Sequence, residues 1–246
     1  MPTVQQIYDV LAALAPVDLA EDWDNVGLLV DAGRPVTRVM TTLDITTDVV
    51  RQAAEAGCQL IVSHHPVIFK GLKKLSPQDV PFQLVSNCIS AICMHTNLDA
   101  AEGGVNDVLA ALFGLKDAEN FAANCGRIGT VDETTAAALA QKAKTVLHAG
   151  VKYADAGKPI RRLALVSGGG GSFFAEAAAL GADCLLTGEA GHHTALDSLA
   201  LGMSLVAASH FSTERPVVPV LADLLQQKFP DLQTVCSKEN DPYVYL

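Results

Sequence analysis

The sequence predicts an α/β fold of two similar α/β domains with mixed sheets, the second inserted into the first. Three observations predict it. Strand-like apolar runs alternate with helical ones: RVMTTLD, a helix over 48–56 and QLIVS; later RRLALVS, a helix over 172–180 and DCLLT. This is the grammar of βαβ units, with sheets that are at least partly parallel. The two stretches also align without a gap when Arg38 is set on Arg162, which puts Gly57 over Gly181 and QLIVS over DCLLT, as an internal duplication would. Finally, strand ends carrying the same residue types lie far apart in the chain, so the segment near residue 210 must rejoin the domain that opens it. The expected domains are 1–125 with 210–246, and 126–209.

From the N-terminus, Thr3 and Gln6 make a capping box, and Val4, Ile7, Leu11 and Leu14 share one helical face, so the chain opens with a helix. After the first βαβ unit, Ala91 to Met94 form another strand, followed by a helix over 105–113 and a loop, KDAENFAAN, that leads to a boundary near 124–126. GRIGTVDE and a helix over 134–148 precede the second βαβ unit. Leu205 to Ala208 are again a strand. Thr213 is a good N-cap and Pro216 suits a first turn, which predicts a helix over 214–228 with His210 on the loop before it, and a terminal strand DPYVYL.

Half the 246 residues are hydrophobic and 18% are charged, enough for a sizeable core. No apolar run approaches the ~18 residues of a membrane span, and MPTVQQIYDVLAALAP lacks the cationic opening of a signal peptide, so a folded cytoplasmic protein is expected. A net charge of −10 disfavours nucleic acid as a partner. The dense basic patches, Lys70-Gly71-Leu72-Lys73-Lys74 and Arg161-Arg162, read as a solvated loop and a strand edge. The six cysteines, at 58, 88, 93, 125, 184 and 236, show no zinc-module spacing and read as buried reduced thiols.

The chemistry concentrates at strand ends. His64 and His65 close the run Leu60-Ile61-Val62 before Pro66; His95 and Asp99 follow Ala91 to Met94; His210 and Glu214 follow Leu205 to Ala208. Ligands of open α/β sheets bind where strands end, and adjacent strand residues point to opposite faces, so a His-His pair at such a tip can serve two ions. Imidazoles with carboxylates suit Zn, Mn or Fe rather than Mg or Ca, and five ligands exceed one tetrahedral site. Two divalent ions are therefore expected, a pair able to activate water and steady a developing oxyanion. Glu214, placed where a helix dipole favours negative charge, is ready to ligate. Asp99 also fits a turn aspartate. Ser167 to Ser172 form a glycine loop able to bind phosphate through backbone N–H groups, but it lacks both the P-loop ending and GxGxxG, so a tight turn explains Gly168 to Gly171 as well.

The segments SHHPVIFKGLKKL, HTNLDAAEGGVND, WDNVGLLV, TGEAGHH and SHFSTERP resemble those of the YbgI-like family, also called the NGG1-interacting-factor-like or GTP cyclohydrolase 1 type 2 family. The resemblance runs from Trp23 to Pro216 and implies dinuclear metal ligands at His64, His65, Asp99, His210 and Glu214, the same set that strand-end chemistry selects. It also implies two similar α/β domains and a toroidal homohexamer with its metal pairs facing a cavity. The extra middle domain of some relatives has no room in this chain. His95 reads either as a group orienting Asp99 or a water, or as a buried structural histidine. Glu189, His192 and His193, which match TGEAGHH, read as acid–base or substrate groups, or as helix-start hydrogen-bonding residues. Asp22-Trp23-Asp24-Asn25 matches the WDN turn and reads as structural first and cavity-facing second.

The expected function is dinuclear metal-dependent hydrolysis at a polarised carbon or phosphorus centre of a small substrate, with a nucleotide as one candidate and GTP ring opening as what the family name suggests. Phosphoester hydrolysis is the alternative chemistry, and a non-catalytic metal-binding or protein-interaction role is the alternative class.

Overall fold

The structure, a computed structural model, describes residues 1–245. The chain packs as two compact units, one of Met1–Glu102 with Val217–Glu239, the other of Gly103–Pro216 with the segment that begins at Asn240. Each unit holds one mixed sheet, so the α/β class with mixed sheets is met. Among the described residues, no helix is long and apolar enough to cross a membrane.

The first unit contains α1 (Val4–Leu14), β1 (Gly27–Val30), β2 (Arg38–Thr42), α2 (Thr47–Glu55), β3 (Leu60–Ser63), α3 (Val80–Ser86), β4 (Ser90–Cys93), α4 (Thr96–Ala100), α10 (Val217–Lys228) and β11 (Gln233–Cys236). The Thr3–Gln6 capping box starts α1, whose buried face is Val4, Ile7 and Leu11. Strand order is β1-β4-β3-β2-β11, with β1 antiparallel to β4 and the other neighbours parallel. Every residue of β3 and β4 is buried, which explains why LIVS reads as a continuous apolar run rather than an alternating one. Full burial of Leu60 and Ile61 contributes about 1.5–3 kcal/mol each before entropy costs.

The second unit contains α5 (Val105–Phe113), β5 (Lys116–Phe121), β6 (Gly126–Thr134), α6 (Ala136–Val146), β7 (Lys152–Ala154), β8 (Ile160–Val166), α7 (Phe174–Ala179), β9 (Cys184–Thr187), α8 (His192–Ala200), β10 (Ser204–Ala207) and α9 (His210–Glu214). Its strand order is β5-β6-β8-β9-β10-β7, with a parallel core of β8, β9 and β10 and antiparallel strands to either side.

The constant offset between the two stretches extends to hydrogen bonding. Val39 pairs with Leu60 in the first sheet, and their counterparts Leu163 and Cys184 pair in the second. Leu60 pairs onward with Ser90, and Cys184 with Ser204. Gln59 Oε1 accepts from Arg38 N at 3.1 Å, and Asp183 Oδ2 accepts from Arg162 N at 2.8 Å, so a side chain closes the same backbone turn in both units. Gly57 (φ 70°) and Gly181 (φ 80°) both follow the crossover helix in the left-handed conformation, where glycine avoids a Cβ penalty.

Several expectations are corrected. KDAENFAAN is not a loop: Lys116–Phe121 is the edge strand β5, bonded to β6. By contact the chain passes between the compact units at 102/103, 216/217 and 239/240, and His210 and Glu214 fall in the second unit. No single helix spans 214–228: Ser209, at φ 67°, caps a short α9 that already contains both His210 and Glu214, and α10 begins after Pro216. The strand completing the first sheet is QTVC, parallel to β2, whereas 241–245 of DPYVYL are not a strand and its last residue lies outside those described. The cysteines are free, but only Cys58, Cys93 and Cys184 are buried; Cys125 is half-buried, and Cys88, in the turn after α3, and Cys236, on an edge strand, are exposed.

Candidate metal centre

In the first unit the ends of β3 and β4 bring three imidazoles together. His64 and His65 directly follow β3, and His95 is the N-cap of α4. The ring centroids of His64 lie 5.0 Å from His65 and 5.1 Å from His95, and those of His65 and His95 lie 5.4 Å apart. One donor atom from each ring lies within 4.8 Å of the others.

Each Nδ1 faces an oxygen acceptor. His64 Nδ1 lies 2.9 Å from the Met94 carbonyl, His65 Nδ1 2.8 Å from Asp44 Oδ1, and His95 Nδ1 2.9 Å from Asp24 Oδ1. A carbonyl or carboxylate oxygen only accepts, so each Nδ1 carries a proton, and in the neutral ring that leaves the lone pair on Nε2, the arrangement of a metal ligand oriented from behind by an oxygen acceptor. Asp99, on α4, puts Oδ1 at 3.7 Å from His64 Nε2.

The orienting carboxylates are themselves held. Glu239 accepts from Leu43 N at 2.7 Å and Asp44 N at 3.2 Å, which fixes the turn that carries Asp44. Asp24 Oδ2 accepts from Thr96 N at 3.0 Å and Thr96 Oγ1 at 2.6 Å. Burial works to raise the Asp24 pKa, but the hydrogen bonds from His95 and Thr96 outweigh it and hold the carboxyl well below the usual carboxylate range. Cys93, next to this cluster in the sequence, donates its thiol to the His64 carbonyl at 3.0 Å, and burial pushes that thiol far up, so it stays protonated.

In the second unit, His210 and Glu214 stand one turn apart on α9, with His210 Nε2 3.1 Å from Glu214 Oε1. This corrects the expectation of a discontinuous pair. Ser209 makes it possible: its side chain accepts from Ser212 N and starts the helix before His210. Glu214 is buried, and Gly168 packs against it so closely that a Cβ there would sit 2.1 Å from Glu214 Oε1. The glycine loop is therefore a tight turn. Gly168 N donates to Thr213 Oγ1 at 3.0 Å, Ser167 N to Asn106 Oδ1 at 2.9 Å, and added Cβ atoms at Gly170 and Gly171 would strike Val166 and the Glu189 carbonyl.

Among the other candidates, Glu189 is exposed, with Oε1 3.6 Å from His210 Nδ1. His192 and His193 lie at the exposed start of α8, ring centroids 5.5 Å apart, and His192 lines a cavity of about 270 Å³ with Lys152, Tyr153 and Leu205. The structure thus groups His64, His65, His95 and Asp99 in one unit, and His210, Glu214 and Glu189 in the other. Asp44 and Glu239 escaped the sequence reading. Asp44 carried a signal, since it stands two residues past the strand RVMTT as His65 stands two past LIVS; Glu239 carried none.

The Duf34/NIF3 (NGG1p interacting factor 3) family profile matches residues 2–242. The chain belongs to the Duf34/NIF3 family. A Clostridium perfringens relative named GTP cyclohydrolase 1 type 2 homolog is 30% identical, with 99% of each chain covered. The NGG1-interacting factor 3 of Saccharomyces cerevisiae is 30% identical over 85% of each chain. A Bacillus cereus protein related to NIF3 superposes with a TM-score of 0.92 at 22% identity, covering 100% of this chain and 99% of that one, which establishes the Duf34/NIF3 fold.

Proposed function

We propose that the protein is a metal-dependent hydrolase of small polar substrates, with a nucleotide as its foremost candidate, in line with relatives named for GTP cyclohydrolase. The observation that carries this reading is the clustering of three imidazoles, each with Nδ1 against an oxygen and one donor atom of each within 4.8 Å of the others. In this proposal His64, His65 and Asp99, together with His210 and Glu214, hold two divalent ions of the Zn, Mn or Fe type, as mixed nitrogen and oxygen donors favour. The ions would supply Lewis-acid activation of water and stabilisation of developing negative charge. Asp44 and Asp24 keep the Nδ1 protons in place, so His65 and His95 present basic Nε2 atoms to the reacting centre. Glu189, exposed beside His210, is the proposed proton-transfer carboxylate, with His192 and His193 as substrate-binding groups. Assembly as a homohexamer and residence in the cytoplasm belong to the same proposal.

Elemental analysis of the purified protein should find about two divalent ions per chain. The same preparation should hydrolyse a nucleotide or phosphoester in a chelator-sensitive way and scatter light as a hexamer. His65→Ala or Asp99→Ala should lower metal content sharply without unfolding the chain. Wild-type metal content in both variants would remove the site. Metal-loaded protein that turns over no nucleotide, phosphoester or cyclic amide, yet captures a protein partner independently of metal, would favour the interaction role for which the yeast relative is named.

A further inference from the structure

Trp23 is the chain's single tryptophan, and 58% of it is exposed. Its turn is anything but loose. Glu21 N donates to Thr96 Oγ1 at 3.0 Å, the Asp24 side chain is fully buried against His95 and Thr96, and Asn25 Nδ2 donates to the Ile68 carbonyl. That last bond ties the turn to the loop after His65-Pro66, where Phe69 is also 47% exposed. The Trp23 and Phe69 rings lie 5.8 Å apart at 42°, and Trp23 meets the edge of His95 at 6.1 Å and 76°. An unbroken aromatic strip therefore runs from Phe69 through Trp23 to the imidazole cluster. Large aromatic faces held in water by pinned backbone, next to groups that could coordinate a metal, are preorganised for a ring to stack on.

We propose that Trp23 and Phe69 form a stacking platform for the planar heteroaromatic ring of the substrate, at the rim of the His64, His65 and His95 cluster. The neighbouring Lys70, Lys73 and Lys74 supply positive charge for an anionic group on the same ligand. These lysines are exposed on the Phe69 loop of a chain whose net charge is −10, so they mark a local preference for an anion that the rest of the protein repels. This assignment names a substrate class for the hydrolase reading and rests on it, but binding can be read without turnover.

The test uses fluorescence of the lone tryptophan in the full chain, with metal and again with chelator, titrating GMP, guanosine and ribose 5-phosphate. GMP should quench Trp23 saturably, guanosine more weakly, and ribose 5-phosphate not at all. Phe69→Ala should weaken GMP about tenfold, in line with the loss of one stacking partner. By calorimetry, Trp23→Phe should retain most of the affinity that Trp23→Ala loses. Saturable GMP quenching, with or without chelator, in a protein that shows no metal-dependent turnover would leave this platform standing even if the hydrolase reading failed. The proposal is overturned if GMP does not quench, if ribose 5-phosphate quenches equally, or if Phe69→Ala binds GMP as wild type does. It is also overturned if Trp23 emission responds only to protein dilution, which would make the surface a contact between copies of the chain.

Discussion

Asp24 illustrates how much one buried carboxylate does in this protein. It accepts from Thr96 N, Thr96 Oγ1 and His95 Nδ1, and so fixes a turn, a helix start and an imidazole tautomer together. Because its folded pKa is depressed, the unfolded chain takes up the proton first as pH falls. The stabilisation is therefore complete above the unfolded value of about 4 and is lost as pH drops toward the folded value. Asp24→Asn should cost roughly 1.5–3 kcal/mol at neutral pH, the range for hydrogen bonds to a charged group. In chelator-treated protein the gap in melting temperature between wild type and variant should narrow steadily below about pH 4. A gap that stays constant down to the acid limit of folding would contradict the assignment. Gly168 makes the opposite kind of contribution, by lacking atoms. Its φ of 56° and the 2.1 Å approach to Glu214 Oε1 leave no room for a methyl group. Gly168→Ala should cost about 1–2 kcal/mol from the backbone alone, and should displace Glu214 enough to lower bound metal. Unchanged metal content on elemental analysis would show that Glu214 is not held there for coordination.

At the scale of elements, the repeated strand–helix–strand predicts equal responses at equivalent positions. Gly57 and Gly181 both end a crossover helix at positive φ, and a Cβ at either would meet nothing within 4 Å. Gly57→Ala and Gly181→Ala should each cost about 1 kcal/mol by chemical denaturation, purely as a backbone penalty. A cost near zero at one site and several kcal/mol at the other would deny that the two crossovers are equivalent. The same elements mark where sequence is legible. The helix over 105–113 is read to the residue, because its apolar spacing and the glycines at both ends are local signals. Edge strand β5 escapes, since five of its six residues are exposed and no alternation betrays it. The short helix α9 is hidden by Ser209, whose positive φ is set by its surroundings rather than its residue type. Among the candidate site residues, histidines and carboxylates at strand ends are visible as types. Their pairing with the acceptors behind them is not, because Met94 lies 30 residues from His64 and Asp24 lies 71 from His95.

For the whole molecule, the proposal is that donors carried by the two compact units serve one centre. His65 belongs to the first unit and Glu214 to the second, and the proposed dinuclear centre draws on both. Anything that binds the folded chain alone stabilises it by mass action, by about 2.7 kcal/mol at a hundredfold excess over Kd. The metal-dependent rise in unfolding free energy therefore reports on each donor without any assay of catalysis. His65→Ala and Glu214→Gln should each abolish most of that rise. If they act on a shared centre, the double variant should lose clearly less than the sum of the two single losses, because the second substitution finds little metal left to release. If each unit binds an ion by itself, the losses should add to within about 0.5 kcal/mol. Denaturant titration of the four proteins, each with saturating Zn or Mn and again with chelator, distinguishes these outcomes. Strict additivity would replace the dinuclear centre with two independent sites, and the hydrolase reading would then have to rest on the histidine cluster of the first unit alone.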